Sequence, residues 1–363
     1  MGSIDKNNYL IIFPFIFLVL LGLVMISSAS IFIAEAQTAD PFHYISRQLL
    51  FVSAGLISMS IFLIIPSSFL LKIDWLLILI SIFLLIALFI PDIGSSVNGS
   101  IRWIRFGSIG IQPSEICKFS LIIYISGYCY RRSSELYSLR NFLKPLTLLS
   151  IVSLLIMSQP DLGSTAIICL VVVAILFYGG ISFFQFFLLS ALILLLGIAA
   201  ISTSPMRIAR MMAFMDPFDS EVVFGSGYQL ANSLISIGQG GWTGLGLGNS
   251  FQKNFFLPEA HTDFIFAILV EELGVIGGII LIAAYIILFF GITKVAINSI
   301  NLGRIFQGLV CFGTMMLFAS QALFNIAVNI GLLPTKGLTL PFISYGGTSI
   351  IIMMSLVAIV LRI

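Results

Sequence analysis

The chain has 363 residues, of which 59% are hydrophobic and 9% are charged, and its formal net charge at pH 7 is +2. Soluble domains carry about 25% charged residues, so this composition excludes a soluble globular protein. The small net charge gives no indication of a nucleic-acid partner. The four cysteines lie in or at the ends of apolar segments without paired spacing, which indicates neither a disulfide framework nor a zinc site.

Apolar segments recur along the whole chain, and a helix needs about 20 such residues to cross the roughly 30 Å hydrocarbon core of a bilayer. We therefore predict an all-α fold, a polytopic transmembrane helix bundle with about ten spanning helices. The predicted spans are 9–32, 48–71, 75–90, 112–129, 145–159, 163–179, 184–203, 262–291, 305–331 and 347–361. The first is too long for a signal peptide, so we expect it to be retained, and the eighth is long enough to bend.

The distribution of basic residues predicts the orientation. If the helices alternate, Lys72, Arg304, Arg362 and the basic cluster at 131–144 share one side with Lys6. The positive-inside rule makes that side cytoplasmic, with both termini inside. No long polar linker interrupts the chain, so residues 1–363 are expected to form a single membrane domain. A long extracytoplasmic loop, 204–261, lies between helices 7 and 8, and Tyr228–Ile237 within it is predicted to be a short amphipathic helix.

Charged residues inside the spans are costly and are therefore candidates for function. Glu115 and Lys118 in the fourth helix are three residues apart and can pair. They either form a self-neutralising structural pair or shape a polar pocket. Asp161 stands at the start of the sixth helix, where capping alone explains a carboxylate.

A third polar group stands where the long loop enters the eighth helix and contains Glu259, His261, Thr262, Asp263, Glu271 and Glu272. Thr262 or Asp263 either caps the helix or supplies a carboxylate that takes a proton from a bound hydroxyl. Partial burial would raise the pKa of such a carboxylate towards neutrality. One of the two deeper glutamates is expected to form a hydrogen bond inside the bundle. The residues alone leave capping and catalysis open.

Several stretches between about residues 95 and 350 resemble the SEDS family, the FtsW/RodA glycosyltransferases of bacterial wall synthesis. They are SSVNGSIRWI, IQPSEICK, SQPDLGS, the run from FGSGYQLANS to AILVEELG, and GLLPTKGLTLPFISYGG. The wording NSFQKNFFLPEAHTDFIF is closer to FtsW, the division enzyme, than to RodA. Gly110, just before IQP, is a departure where some relatives are expected to carry a basic residue.

The resemblance implies that the chain polymerises the lipid-linked precursor lipid II into β-1,4-linked glycan, with release of undecaprenyl pyrophosphate. The family's catalytic aspartate falls on Asp263. Supporting roles in substrate binding are expected for Glu115, Lys118, Arg102, Lys253, Glu259, His261, Lys336 and Ser344. Cationic side chains are expected to stabilise the leaving pyrophosphate directly or through a divalent cation such as Mg or Mn. Lys118 and Lys336 are favoured among the candidates, which are Arg102, Arg105, Lys118, Arg207, Arg210, Lys253 and Lys336.

The resemblance also implies a class B penicillin-binding protein as partner, together with other division proteins and membrane lipid. The expected location is the bacterial cytoplasmic membrane at the division septum, with the active site on the extracytoplasmic face. Three alternatives remain: a lipid II flippase, an elongation-type RodA-like polymerase, and a non-catalytic scaffold of the division apparatus.

Overall fold

The structure is a computed structural model that describes residues 8–91, 93–97, 100–107 and 109–363. These residues contain twelve helices and one small sheet. The helices are α1 (Tyr9–Thr38), α2 (His43–Ile64), α3 (Ser67–Ala87), α4 (Pro113–Arg131), α5 (Leu139–Met157), α6 (Leu162–Tyr178), α7 (Phe183–Ser202), α8 (Pro205–Met215), α9 (Tyr228–Gly240), α10 (Ile265–Asn301), α11 (Ile305–Asn329) and α12 (Gly347–Arg362). Lys6, used in the orientation prediction, lies outside the described residues.

The ten predicted spans correspond to α1–α7 and α10–α12, which confirms the all-α membrane fold. In the described part of the chain, seven helices are long and apolar enough to cross a membrane: α1, α2, α3, α5, α7, α10 and α11. Helices α6 and α12 are apolar but shorter. Helix α4 is 19 residues long, which is enough to span the membrane, but it carries Glu115, Lys118 and Arg131. These charges make it less apolar than the seven helices named above.

The predicted boundary between the second and third spans is wrong. A helix was expected to continue to residue 71, but α2 ends at Ile64 and α3 begins at Ser67. Ile65 has an extended backbone, with ψ of 122°. Because the ring of Pro66 disfavours helical geometry in the residue before it, the chain turns here. The third span therefore starts eight residues before its expected start at residue 75.

The segment between α3 and α4 contains a three-stranded antiparallel sheet that was not predicted from the sequence. Its strands are β1 (Gly94–Val97), β2 (Ser100–Phe106) and β3 (Ile109–Ile111), in the order β1-β2-β3. Thr348 at the start of α12 accepts a hydrogen bond from the Gln112 amide, 3.1 Å. The sheet is thereby joined to the bundle at the same end as Asp263.

Helices α10 and α11 pack against each other at the centre of the bundle, with α1 and α9 against α10 and with α4 and α6 against α11. Helix α2 packs on α12, and α3 on α4. Helix α7 packs mainly on α6 and α8, and its large apolar side chains point outward, with Phe184 75% and Phe187 65% exposed. An aqueous exterior would not accept such a surface, whereas hydrocarbon does.

Helix α10 is bent, as its length suggested. Gly274 has φ of 72°, a left-handed conformation that only glycine adopts at low cost, and it interrupts the helix. The main chain of the outer loop at 241–246 pairs with the groups around this interruption. The amides of Val275 and Ile276 donate to the carbonyls of Gly241 and Trp242, and the amides of Leu245 and Gly246 donate to those of Glu271 and Glu272.

Candidate functional site

Asp263 lies in the turn that leads into α10, and its main chain is fixed by α11. The Nδ2 atoms of Asn325 and Asn329 donate hydrogen bonds to the Asp263 carbonyl oxygen, at 2.8 and 3.0 Å. Asn325 Nδ2 also donates to the carbonyl of Leu338, 2.6 Å, and Asn329 Oδ1 accepts from the Ala267 amide, 3.1 Å. Two asparagines one helical turn apart therefore tie this turn to α11 and to the segment that follows it.

That following segment, 331–346, packs directly on the turn. Ser344 Oγ donates to the Thr262 carbonyl, 2.6 Å, and accepts from the Leu340 amide, 2.7 Å. A Cβ atom added to Gly337 would lie 2.8 Å from Asp263 Oδ2. The chain therefore passes so close to the carboxylate that a side chain at 337 would displace it.

Asp263 is half-buried, and within the described part of the chain no group donates a hydrogen bond to its carboxylate. Its pKa is raised to about 7, chiefly by burial and then by the charge of Glu259, against the opposing effect of Arg102. Asp161 adds to the rise, and Arg210 opposes it. An aspartate with this pKa exchanges a proton near neutral pH, which is the property required of a general base.

Arg102 of β2 and Asp161 form the side of the site next to α6. The Arg102 Nε atom is 3.7 Å from Asp161 Oδ2, and Nη2 donates to the Pro160 carbonyl, 2.8 Å. Asp161 also caps α6, accepting from the Ser164 amide at 3.1 Å and from Ser164 Oγ at 2.7 Å. The predicted cap is confirmed, and the same carboxylate holds Arg102 towards Asp263.

Lys336 brings a further positive charge beside Gly337. Burial and the neighbouring arginines Arg210 and Arg207 lower its pKa to about 8. Lys336, Arg102 and Arg210 are each partly exposed, and the charges of both arginines act on Asp263 as well as on Lys336. We call Arg102, Arg207, Arg210 and Lys336 the cationic cluster. Crowding of like charges is favourable only if an anion occupies the space between them.

Two members of the cationic cluster were expected only as candidate cations for the leaving pyrophosphate, in an irregular loop. Arg207 and Arg210 lie three residues apart on α8, within a segment expected to be loop. The available signal was Ser204 followed by Pro205, because serine and then proline commonly begin a helix. A helix there would have placed both arginines on one face.

Glu259 and His261 lie beside Asp263 in the same turn. The Glu259 Oε2 atom accepts a hydrogen bond from Thr262 Oγ1, 2.6 Å. His261 is buried with its ring 4.6 Å from that of Tyr44 and 5.8 Å from that of Tyr345. Burial lowers the pKa of His261, opposed by the charge of Glu259. Both residues therefore shape the turn that presents the carboxylate.

Glu115 and Lys118 do pair, with Lys118 Nζ 2.6 Å from Glu115 Oε1, and both are buried. Lys118 also lines a small void between α4, α6 and α11. Besides burial, the charges that set the pKa values of Asp263 and Lys336 are those of Glu259, Asp161 and the arginines of the cationic cluster. The Glu115–Lys118 pair lies instead inside the helix bundle.

Lys253 is buried in a second ion pair. Its Nζ atom lies 2.8 Å from Glu272 Oε1 and donates to Ser28 Oγ of α1, 3.0 Å. The neighbouring Glu271 accepts hydrogen bonds from Ser236, Ser250 and the amide of Phe251. Both deep glutamates therefore form hydrogen bonds inside the bundle, and Lys253 attaches the outer loop to α1 and α10.

Among the described residues, no group of three or more histidine, cysteine, aspartate or glutamate side chains is arranged to hold a metal ion. The carboxylates near Asp263 are accompanied by the cationic cluster, which opposes a divalent cation held by protein alone. Mg²⁺ is commonly bound by one or two carboxylates plus substrate phosphates. The expected Mg or Mn therefore remains a prediction that concerns the substrate complex.

The sequence model of the FtsW/RodA/SpoVE family, described as cell cycle proteins, matches residues 8–363. The Probable peptidoglycan glycosyltransferase FtsW of Alcanivorax borkumensis is 40% identical over 362 residues, covering 99% of this chain and 93% of the relative. The protein of the same name from Saccharophagus degradans is 43% identical over 351 residues, covering 95% and 89%.

Solved structures share the fold. A chain from a peptidoglycan synthase complex, whose structure concerns the coordination of polymerization and crosslinking, superposes with a TM-score of 0.79 at 25% identity, covering 97% of this chain and 95% of the other. The rod shape determining protein RodA of Thermus thermophilus superposes with a TM-score of 0.70 at 24% identity, covering 97% and 94%.

Proposed function

Because the chain belongs to the FtsW/RodA/SpoVE family, we propose that it is the peptidoglycan glycosyltransferase that polymerises lipid II during cell division. The family membership expected from the sequence motifs is confirmed over nearly the whole chain. Relatives named FtsW at 40 to 43% identity support the division role over the elongation role. The fold and the glycosyltransferase activity follow from the same matches.

Asp263 carries this proposal, because it combines a pKa of about 7 with a half-buried position beside the cationic cluster. Its carboxylate takes the proton from the 4-hydroxyl of the acceptor's N-acetylglucosamine. The freed oxygen attacks C1 of the donor's N-acetylmuramic acid, and the bond from C1 to the pyrophosphate oxygen breaks. A single in-line displacement inverts C1 and converts the α-linked donor into a β-1,4 linkage without a covalent enzyme intermediate.

The cationic cluster binds the undecaprenyl pyrophosphate that leaves. Negative charge grows on the bridging oxygen as the bond breaks, and fixed cations in a partly buried site stabilise that charge. Lys336 and Arg210 lie close enough for their charges to act on each other, so one anion can contact both. Arg102, held by Asp161, adds a further cation.

The orientation and the partner extend the proposal. With both termini in the cytoplasm, Asp263 faces the extracytoplasmic side of the cytoplasmic membrane, where lipid II is polymerised at the septum. A class B penicillin-binding protein is the proposed partner. The similarity to a chain of a peptidoglycan synthase complex that coordinates polymerization with crosslinking supports such a partnership. Other division proteins would assemble around the pair.

The decisive experiment is polymerisation of labelled lipid II by the purified protein with its partner transpeptidase, comparing wild type with Asp263→Asn. The variant keeps the size of the side chain and removes the base. A rate loss of about 10²–10⁴-fold is expected, with partner binding unchanged. Transport of lipid II by wild type without polymerisation would favour the flippase, and neither transport nor polymerisation would favour the scaffold. Full polymerisation by Asp263→Asn would show that Asp263 is not the base.

A further inference from the structure

A cavity of about 150 Å³ opens at the end of the bundle opposite Asp263. It is lined where α2 ends and α3 begins, at the turn between α10 and α11, and at the end of α12. Helix α10 starts just after Asp263, and its 37 residues reach this turn. At 1.5 Å per residue, that separates the cavity from the catalytic turn by roughly 55 Å of helix.

Two arginines contribute to the cavity, and its lining contains no aspartate or glutamate among the described residues. Arg304 and Arg362 both line it, and neither forms an ion pair with any described residue. The Nη1 atom of Arg362 donates to the Leu63 carbonyl, which fixes its position. Nearby acids are already used: Asp74 pairs with Arg131 and Glu135 with Arg132, each at 2.7 Å.

Two helices also begin at this cavity. Ser67 starts α3, and Arg304 directly precedes α11. Neither start has a side-chain cap, so main-chain amides of both first turns lack acceptors within their helices. Gln307 Nε2 donates to Ser67 Oγ, 3.0 Å, and holds the two helix starts together. Their positive dipole ends add to the two guanidinium charges.

The flanks of the cavity are apolar and face outward. Leu302, two residues before Arg304, is 70% exposed, and Ile64, one residue before the lining residue Ile65, is 76% exposed. The cavity is lined by Ile65, Leu70 and Ile359 as well. This combination of a cationic, donor-rich recess with exposed apolar edges matches the two parts of a phospholipid, a phosphate headgroup and acyl chains.

We propose that this cavity binds the phosphate headgroup of one anionic phospholipid between Arg304 and Arg362. In the orientation proposed above, the lipid lies in the cytoplasmic leaflet, where basic pockets between helices select anionic headgroups. The site is separate from the polymerase centre, and the lipid would bind at the cytoplasmic end of the bundle. Phosphate is the recognised chemistry, and the acyl chains fix its source as the membrane.

Native mass spectrometry of the full-length protein in detergent tests this site. Wild type is titrated with phosphatidylglycerol and, separately, with phosphatidylcholine. We expect one phosphatidylglycerol to bind at least tenfold more tightly than phosphatidylcholine. The double variant Arg304→Gln, Arg362→Gln is expected to lose that preference. Arg304→Gln alone is expected to weaken phosphatidylglycerol binding about threefold to tenfold. This variant removes no described side-chain bond, so it tests the site even if the double variant misfolds.

The matched control is Arg140→Gln, Lys144→Gln. It removes the same charge at the same end of the bundle, from exposed residues outside the cavity. The control should bind phosphatidylglycerol as wild type does. Equal losses in the control and the cavity variants would overturn the site in favour of general surface attraction. Equal affinity for both lipids would overturn the assignment to an anionic phospholipid. So would binding of inorganic phosphate as tight as that of phosphatidylglycerol.

Discussion

Asn325 Nδ2 lies 2.8 Å from the main-chain carbonyl oxygen of Asp263 and 2.6 Å from that of Leu338. One buried amide group therefore joins the turn that carries the carboxylate to the segment that carries Gly337 and Lys336. The side chain touches no reacting atom. Its role is to hold the base and the cationic cluster in register.

Asn325→Ala is expected to lower the polymerisation rate at least tenfold while the KM for lipid II changes little, because the carboxylate is displaced but the cations remain. The buried Leu338 carbonyl loses its donor, at about 1–3 kcal/mol, while the Asp263 carbonyl keeps the hydrogen bond from Asn329. Gln321→Ala is the control, a buried amide on the same helix that makes no hydrogen bond with the described residues. If both variants lose activity equally, the effect comes from packing and the positioning role is rejected.

The pH dependence of kcat/KM follows from the two perturbed groups. Asp263, with its pKa raised to about 7, must be unprotonated, so activity rises as pH increases through about 7. Lys336, with its pKa lowered to about 8, must be protonated, so activity falls above about 8. Since kcat/KM reports the pKa values of the free enzyme, and these are about 7 and about 8, the expected profile is a narrow bell.

Lys336→Arg separates the two limbs of that profile. Arginine stays charged throughout the accessible range, so the alkaline limb should move out of the measured window while the acid limb stays near pH 7. Initial rates at low lipid II concentration between pH 5.5 and 9.5 provide the test. An unchanged alkaline limb would show that another group titrates there.

Gly337→Ala tests the close approach to the carboxylate. The added Cβ atom would lie 2.8 Å from Asp263 Oδ2 and would force it to rotate, so we expect a rate loss of up to about 10²-fold with normal folding. Gly346→Ala is the matched control, because its Cβ would meet Ser349 at an ordinary 3.4 Å. Steady-state polymerisation rates and thermal unfolding of both variants decide the matter. Comparable rates in the two variants would contradict this geometry.

Arg210→Gln should shift both limbs of the pH profile upward. Arg210 lowers the pKa of Asp263 and that of Lys336, so its removal lets both values rise. The rate should also fall, because pyrophosphate loses one cation. Arg105→Gln, an exposed arginine on β2, is the control. A fall in rate with both limbs unmoved would show that Arg210 acts at a distance from Asp263.

Glu272→Gln should destabilise the protein by about 3–5 kcal/mol, because it leaves the Lys253 charge buried without a counter-ion. Replacing both partners by Met should restore most of that loss, since no uncompensated charge remains. Thermal unfolding in detergent measures both effects. Glu135→Gln breaks an exposed pair and should cost less than about 1 kcal/mol. A Glu272→Gln variant as stable as this control would show that the Lys253 pair adds little.

Sequence alone predicted the spanning helices well, because a long apolar run in this chain has few alternatives to a membrane helix. The error at Pro66 arose because hydropathy does not change across a tight turn between two apolar helices, whereas backbone geometry does. Helix α8 and the sheet went unrecognised for another reason. Both are short and carry polar residues, so their apolar signal is weak.

The candidate site was only partly predictable. Asp263 stood out by its family motif, and its neighbours Glu259 and His261 came with it. Arg210 reaches the site from a separate helix, and no spacing in the sequence relates it to Lys336. Conversely, Lys253 looked like a phosphate ligand, yet the structure places it against Glu272, because a buried lysine needs an acid that sequence distance could not identify.

The bend of α10 at Gly274 has a consequence for how the chain is assembled in the membrane. The carbonyls and amides near the bend find partners only in the outer loop at 241–246, and each would cost several kcal/mol if left facing hydrocarbon. A translocated loop that has not yet docked would therefore leave the longest helix incomplete. The loop and the helix must mature together, and trimming that loop would damage membrane insertion before it damaged catalysis.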